Sequence, residues 1–232
     1  MKMKPKLIQA HQLSRIYHLG DTQVVGLERI DLAVDEGELL VIKGDSGSGK
    51  STLLSLLAGL DTPSSGALMV AGHDLARSSA ASLTLFRRQV VGMVFQAFNL
   101  LPTLNVLENI CLPALLARTP FAAARDKARR LAERFHLARR LAHRPHQLSG
   151  GEMQRTAIAR ALINDPAIIL ADEPTGNLDS ENGGNVISLL AALNRDLGTT
   201  ILIATHSTIA DTVALRQIHL RDGRIKEAPW AP

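Results

Sequence analysis

Short apolar runs alternate along this chain with longer stretches whose apolar residues recur at helical spacing. Leu39-Leu40-Val41-Ile42, Val90 to Phe95, Ala167 to Ala171 and Thr200 to Thr205 have the texture of parallel strands buried on both faces. Lys50 to Leu57 reads as a leucine-crowded helix and Leu83 to Arg88 as a short one. Glu152 to Ile163 carries Ala157, Ile158, Ala161 and Leu162 at the helical period and stops before Pro166. Ser180 to Leu197 turns Val186, Leu189, Leu190, Leu193 and Leu197 to one side, and Gly198 supplies its stop. Strands alternating with helices predict an α/β fold with a largely parallel sheet.

Two segments depart from that rhythm. Leu7 to Leu13 and Val24 to Val34 read as strands, with Tyr17 between them. Leu27, Ile30, Leu32 and Val34 partly alternate with Asp31 and Asp35, which predicts an N-terminal antiparallel β portion packed on one face. Asp61 to Gly66 is a loop, Ala67 to Ala71 a short strand, and Val213 to Ile225 two strands around an Asp222-Gly223 turn. From Ala97 to Gln147 no strand pattern occurs. Leu104 to Leu116 and Phe121 to Leu141 read as helices separated by Pro113, Arg118, Thr119 and Pro120, so 97–147 is expected to be an inserted helical subdomain within a single domain, 1–232. That insertion is basic: Arg125, Lys127, Arg129, Arg130, Arg134, Arg139, Arg140 and Arg144 form either a solvated helix face or a docking surface for an acidic segment or lipid headgroups.

Composition narrows the class. A 232-residue chain that is 46% hydrophobic buries a sizeable core as one large domain. No apolar stretch approaches the roughly 18 residues a spanning helix needs. The basic start, Met1 to Lys6, has no apolar signal core after it. The single Cys111 excludes an internal disulfide framework and points to a reducing compartment. A formal net charge of +4 is too mild to name a partner. Aromatics make up 3% of the chain, leaving few platforms for stacking bases, so no nucleic-acid partner is expected.

The candidate chemistry begins at Gly44-Asp45-Ser46-Gly47-Ser48-Gly49-Lys50-Ser51-Thr52, which fits the phosphate-binding pattern G-x-x-x-x-G-K-[ST] between a strand and a helix. Glycines let backbone N–H groups turn toward phosphate oxygens, and the helix start adds partial positive charge. Lys50 would reach the β- and γ-phosphates, and the Ser51 hydroxyl would ligate Mg²⁺. In open parallel sheets, ligands sit at the carboxyl ends of strands. The polar residues there are Gln96, Asp172, Glu173 and His206, and one crevice could collect them all. Asp172 is placed to hold Mg²⁺, Glu173 to act as general base toward the attacking water, and Gln96 to touch both metal and water. His206 is either a structural histidine or a partner of the γ-phosphate. The ring of Tyr17 could stack on adenine. Ser149-Gly150-Gly151-Glu152 is a capping box opening a helix, hence a second anion site 99 residues beyond Lys50. It is either an ordinary cap or a grip on the γ-phosphate of ATP held by another copy of the chain.

With these residues assembled, the chain resembles the ATP-binding-cassette (ABC) ATPases from about Leu7 to about Ile225. Walker A is Gly44–Thr52, the Q-loop Gln96, the signature Leu148 to Glu152 and Walker B Ile168 to Asp172. Glu173 comes next, the D-loop holds Asn177-Leu178-Asp179, and the switch histidine is His206, while Tyr17 matches the aromatic A-loop. Within the family, Gly59 to Pro63, Gln96 to Pro102 and Asp172 to Asp179 are similar to the lipoprotein-releasing and macrolide-efflux (LolD- and MacB-like) group. Two positions depart from the pattern: Ser207 follows His206 where aspartate is frequent, and Met153 follows the signature.

The resemblance implies a P-loop NTPase core from 1–96 and 148–232, ATP and Mg²⁺ as cofactors, and a head-to-tail homodimer with each ATP between one Walker A and the other signature. It also implies a separate integral membrane permease, with this subunit cytoplasmic and peripheral on the inner face of the membrane. The work would be export, lipoprotein release or force transmission. The other classes weighed are a soluble ABC ATPase acting on nucleic acid or ribosomes, which typically carries two cassettes or a coiled-coil insertion, and a kinase or GTPase. The latter would leave the Ser149 loop without a purpose, and no guanine-reading N-K-x-D is present.

Overall fold

The computed structural model describes residues 5–20 and 22–226, so the basic start at Met1 to Lys4 lies outside the described residues. Two sheets organise it. An antiparallel sheet of order β2-β1-β4-β5 is built from β1 (Lys6–Leu19), β2 (Thr22–Asp35), β4 (Ser65–Val70) and β5 (His73–Asp74). A second sheet of order β10-β9-β3-β8-β7-β6 contains β3 (Leu39–Lys43), β6 (Val91–Phe95), β7 (Ile168–Asp172), β8 (Thr200–Ala204), β9 (Arg216–Arg221) and β10 (Arg224–Lys226). It is parallel except for the β9–β10 hairpin, whose Asp222 and Gly223 both take positive φ.

The six-stranded sheet separates two apolar cores because successive side chains on a strand point to opposite faces. Leu39, Val41, Ile169, Ala171, Ile201 and Ile203 belong to one core. Their neighbours Leu40, Ile42, Ile168, Leu170, Leu202 and Ala204 belong to the other. The first core is closed by α3 (Val106–Leu116), α4 (Phe121–Arg134), α5 (Gly150–Leu162) and α6 (Ser180–Leu197). The second is closed by α1 (Lys50–Leu57), α2 (Ala80–Gln89) and the inner face of the antiparallel sheet. Burial on both faces is why these strands read as unbroken apolar runs. Among the described residues, no helix is long and apolar enough to cross a membrane.

The structure corrects the sequence reading at three places. Tyr17 lies within β1, paired with Val24, because β1 and β2 run on to a tight connection rather than ending at Leu13 and starting at Val24. Pro113 sits inside α3 and does not separate the helices. The second insertion helix stops at Arg134 instead of Leu141, and a 3-10 turn at Ala138–Arg140 follows. Both stops have one cause. Arg118 and His136 take left-handed φ of 66° and 56°, and Thr119 and Leu137 donate back to the carbonyls of Ala114 and Ala132 at 2.9 and 2.7 Å. This is the glycine-type helix stop built without glycine; α3 still ends at Leu116 as expected, and only the α4 stop goes unmarked in the sequence.

The segment between β6 and β7 holds helices only. Its basic residues are partly tied inward: Lys127 pairs with Asp165, Arg134 with Asp196 at 2.8 Å, and Arg140 with Glu152 at 2.7 Å. Arg129, Arg130, Arg139 and Arg144 stay exposed.

Candidate functional site

Parallel pairing brings the carboxyl ends of β3, β8, β7 and β6 to one edge in that order. There they open into a cleft of about 630 Å³. Asp45, Ser46, Gly47, Gly49, Lys50, Ser51, Thr52, Gln96, Glu173, His206 and Tyr17 line it. Val24, Val25 and Gly26 of β2 complete the wall. These three were not anticipated; the exposure of two adjacent valines (44% and 48%) beside a glycine is the signal that marks them.

The loop after β3 requires its glycines. Gly44 and Gly49 take φ of 153° and 106°. A Cβ on Gly44 would lie 2.3 Å from the Leu220 carbonyl, and one on Gly49 2.6 Å from that of Gly26. Gly44 and Ser48 thus support the loop from beneath rather than lining the cleft. Lys50 Nζ donates to the carbonyls of Gly44 and Asp45 at 2.7 and 2.9 Å and lies 3.7 Å from Glu173 Oε1.

Asp172 ends β7 with the Ser51 hydroxyl beside it, and its Oδ1 is buried with no partner. Burial pushes the Asp172 carboxyl above its usual range, with the Glu173 charge adding to the rise; the neighbouring Ser51 hydroxyl and the Lys50 ammonium oppose it. An unpartnered buried oxygen next to a hydroxyl suits a hard cation that takes its remaining ligands from phosphate oxygens. Asp172→Asn therefore relieves a penalty present above the folded-state pKa. It should raise the melting temperature of nucleotide-free protein at pH 7 while reducing ATP hydrolysis. The gap between variant and parent should close as pH falls through the raised pKa. Thermal unfolding across pH checks this, and an unchanged or lower melting temperature at pH 7 would refute it.

Glu173 follows with φ of 46°, a left-handed turn that aims its carboxylate back along the sheet edge. Its Oε2 accepts from Thr205 Oγ1 at 2.9 Å, and Oε1 meets His206 N at 3.2 Å and His206 Nδ1 at 2.9 Å. The carboxylate is mostly enclosed, whereas the His206 ring is 68% exposed. Gln96 packs against Gly176, where a Cβ would come within 2.7 Å of its amide nitrogen. Tyr17 is braced from outside: its hydroxyl donates to Asp61 Oδ2 at 3.1 Å, the same oxygen accepts from Arg15 Nε at 2.8 Å, and the Arg15 guanidinium sits 4.6 Å from the ring centre. Thr205 and Asp61 are the supporting residues that sequence reasoning missed. Neither has a signal in one chain, since each acts through an element distant in sequence.

The signature residues lie elsewhere. Ser149 caps α5: its Oγ accepts from Glu152 N at 3.2 Å, and Glu152 Oε2 accepts from Ser149 N at 2.9 Å. Burial works to raise the Glu152 carboxyl, but hydrogen bonds from Ser149 and Arg140 outweigh it and hold it below its usual range. Asp179 caps α6, and a hydrogen bond from the Asn182 backbone keeps its carboxyl low. Leu178 packs near Gly150, joining the two helix starts. None of Ser149, Gly150, Gly151, Glu152 or Asp179 lines the cleft at Lys50.

A phosphate loop, an aspartate beside its serine, and a glutamate–histidine pair at one sheet edge define a nucleotide-hydrolysing cassette. The ABC transporter family matches residues 27–176. The chain is 46% identical over 95% of its length to an uncharacterized ABC transporter ATP-binding protein, MJ1508, of Methanocaldococcus jannaschii, covering 98% of that protein. It is 44% identical to the lipoprotein-releasing system ATP-binding protein LolD of Shewanella sp., covering 97% of each. Among solved structures, the dimeric ATP-binding cassette MJ0796 bound to ADP and Pi superposes with a TM-score of 0.88 at 38% identity, over 95% of this chain and 97% of that one. The chain belongs to the ABC transporter family: it is an ATP-binding, ATP-hydrolysing subunit of the kind that powers a membrane transporter.

Proposed function

We propose that this subunit closes head-to-tail on a second copy of itself around two ATP molecules, and that closure drives a separate integral membrane subunit. The observation that carries the reading is the split described above. One chain gathers a phosphate cradle, Ser51, Glu173 and His206 in a single cleft, with Asp172 beside Ser51, while its second helix-start anion site, Ser149 to Glu152, lies outside that lining. A second chain supplies the missing grip on the terminal phosphate. In this reading the adenine stacks on Tyr17, and phosphates rest on the Gly44–Thr52 backbone and Lys50. Ser51, Asp172 and Gln96 would hold Mg²⁺, which would supply charge neutralisation for the phosphates. Glu173 takes the proton of the attacking water, His206 hydrogen-bonds the γ-phosphate, and Asp179 joins the contact between copies. ATPase rate per molecule should rise with protein concentration at low concentration; a rate per molecule independent of concentration in a strictly monomeric preparation would overturn the reading.

A surface groove supports a contact with the membrane subunit. A groove of about 250 Å³ runs between Leu60, Met93, Phe95 and Pro113, with Arg87 and Arg160 at its polar wall. Leu60 is 53% exposed there. Such a groove suits a short amphipathic helix of a membrane protein. This chain would then be cytoplasmic and peripheral, held at the membrane through that contact. Similarity to LolD favours lipoprotein release, and similarity in the Gln96 to Pro102 segment extends equally to efflux. Tagged chain purified from membranes should carry one integral membrane subunit, lost on Leu60→Asp; a subunit retained equally by that variant would refute the groove.

A further inference from the structure

Lys43 is the last residue of β3, one position before the phosphate loop, in a strand whose other members are all apolar. Its side chain is only 9% exposed. The ammonium donates to the Ser207 carbonyl and lies 2.5 Å from Asp211 Oδ1, in the 3-10 turn Thr208–Thr212. A buried lysine with two dedicated partners is a costly thing to keep unless the partners matter. Both partners belong to the segment that leaves β8 through His206.

That segment is pinned on each side of His206. Before it, Thr205 N donates to the Ile42 carbonyl at 3.0 Å and Thr205 Oγ1 donates to Glu173 at 2.9 Å. After it, Ser207 N donates to Thr205 Oγ1 at 3.0 Å, and the Ser207 carbonyl takes the Lys43 ammonium. The Ser207 side chain caps the following turn through Ile209 N at 3.3 Å, and its hydroxyl cannot make the ionic contact an aspartate would. The charge in this stretch comes instead from Asp211, four residues further on, and its counterion from the neighbouring strand. We propose that Lys43 is a positioning residue for His206: the Lys43–Ser207–Asp211 clamp fixes the peptide that carries the imidazole, and so sets the His206–Glu173 contact. The proposal rests on the reading of His206 as a partner of the γ-phosphate. Lys43 does not line the cleft at Lys50.

Steady-state ATPase assays on Lys43→Met, Lys43→Arg, Asp211→Asn and His206→Ala, with binding of a fluorescent ATP analogue and NMR of the imidazole signals, test it. Misplacing a reacting group by about 1 Å costs up to roughly a hundredfold. Lys43→Met should lower kcat about tenfold or more, leave KM and analogue affinity within about twofold, and shift the His206 imidazole resonance. Lys43→Arg should restore part of kcat, and Asp211→Asn should lose less than Lys43→Met because the Ser207 contact survives. If Lys43→Met does not fold, Asp211→Asn and Lys43→Arg carry the same expectation of reduced kcat at constant KM. Full kcat in the folded Lys43 and Asp211 variants, or KM rising in step with the loss, would overturn the clamp while His206→Ala is impaired. If His206→Ala keeps full kcat, the reading of His206 fails instead, and the clamp then stands or falls on whether the imidazole resonance moves.

Discussion

Glu173→Gln should bind ATP as the parent does, hydrolyse it about 10³-fold more slowly and accumulate as an ATP-bound dimer. General-base catalysis contributes about 10²–10⁴-fold, and the adjacent carboxylate, Asp172, lies beside Ser51 instead. Glutamine keeps the side-chain length and the left-handed backbone at 173, so the turn that begins there survives. Its carbonyl oxygen can still accept from the Thr205 hydroxyl. What it loses is the ability to take a proton. Binding by Lys50 and the loop backbone is untouched, so closure on ATP proceeds and opening does not follow. Size-exclusion chromatography with ATP, beside single-turnover hydrolysis, reads both parts. Normal turnover would remove Glu173 from its role.

Ser149→Arg in the Glu173→Gln background should elute as monomer with ATP while keeping nucleotide affinity within about twofold. The substitution acts where the partner's phosphate would arrive. It places a long cation at the positive end of α5 and removes a cap worth about 1 kcal/mol. The cleft at Lys50 is not lined by Ser149, so one chain's own nucleotide site is left alone. Ser149→Ala removes the hydroxyl without filling the space and should weaken the dimer less. An ATP dimer that persists with Ser149→Arg would show that the α5 start is only a cap.

Much of this molecule was legible residue by residue. The ends of α1 and α6 were read correctly because a phosphate loop and a Gly198 stop mark them in sequence. The antiparallel portion was legible from the partial alternation in Leu27 to Val34, one face being buried and the other wet. The end of α3 at Leu116 was legible too, with Thr119 and Pro120 just beyond it, whereas the end of α4 at Arg134 was not, since His136 takes a left-handed conformation that its side chain does not advertise. Tyr17 was expected between strands because nothing in Leu13 to Val24 shows that β1 and β2 continue as a pair through several bulges.

The chain by itself determined the ingredients: apolar strands that must lie inside a sheet, and polar residues that must emerge at their carboxyl ends. Those are consequences of side-chain hydrophobicity and backbone period, which are local. Only the tertiary structure decided which groups support one another across the sheet edge. Thr205 under Glu173, Asp61 behind Tyr17 and Lys43 beneath Ser207 are contacts between segments 32, 44 and 164 residues apart. Strand order creates such contacts, and strand order follows from the summed packing of both faces, a property of the whole sheet that no single stretch encodes.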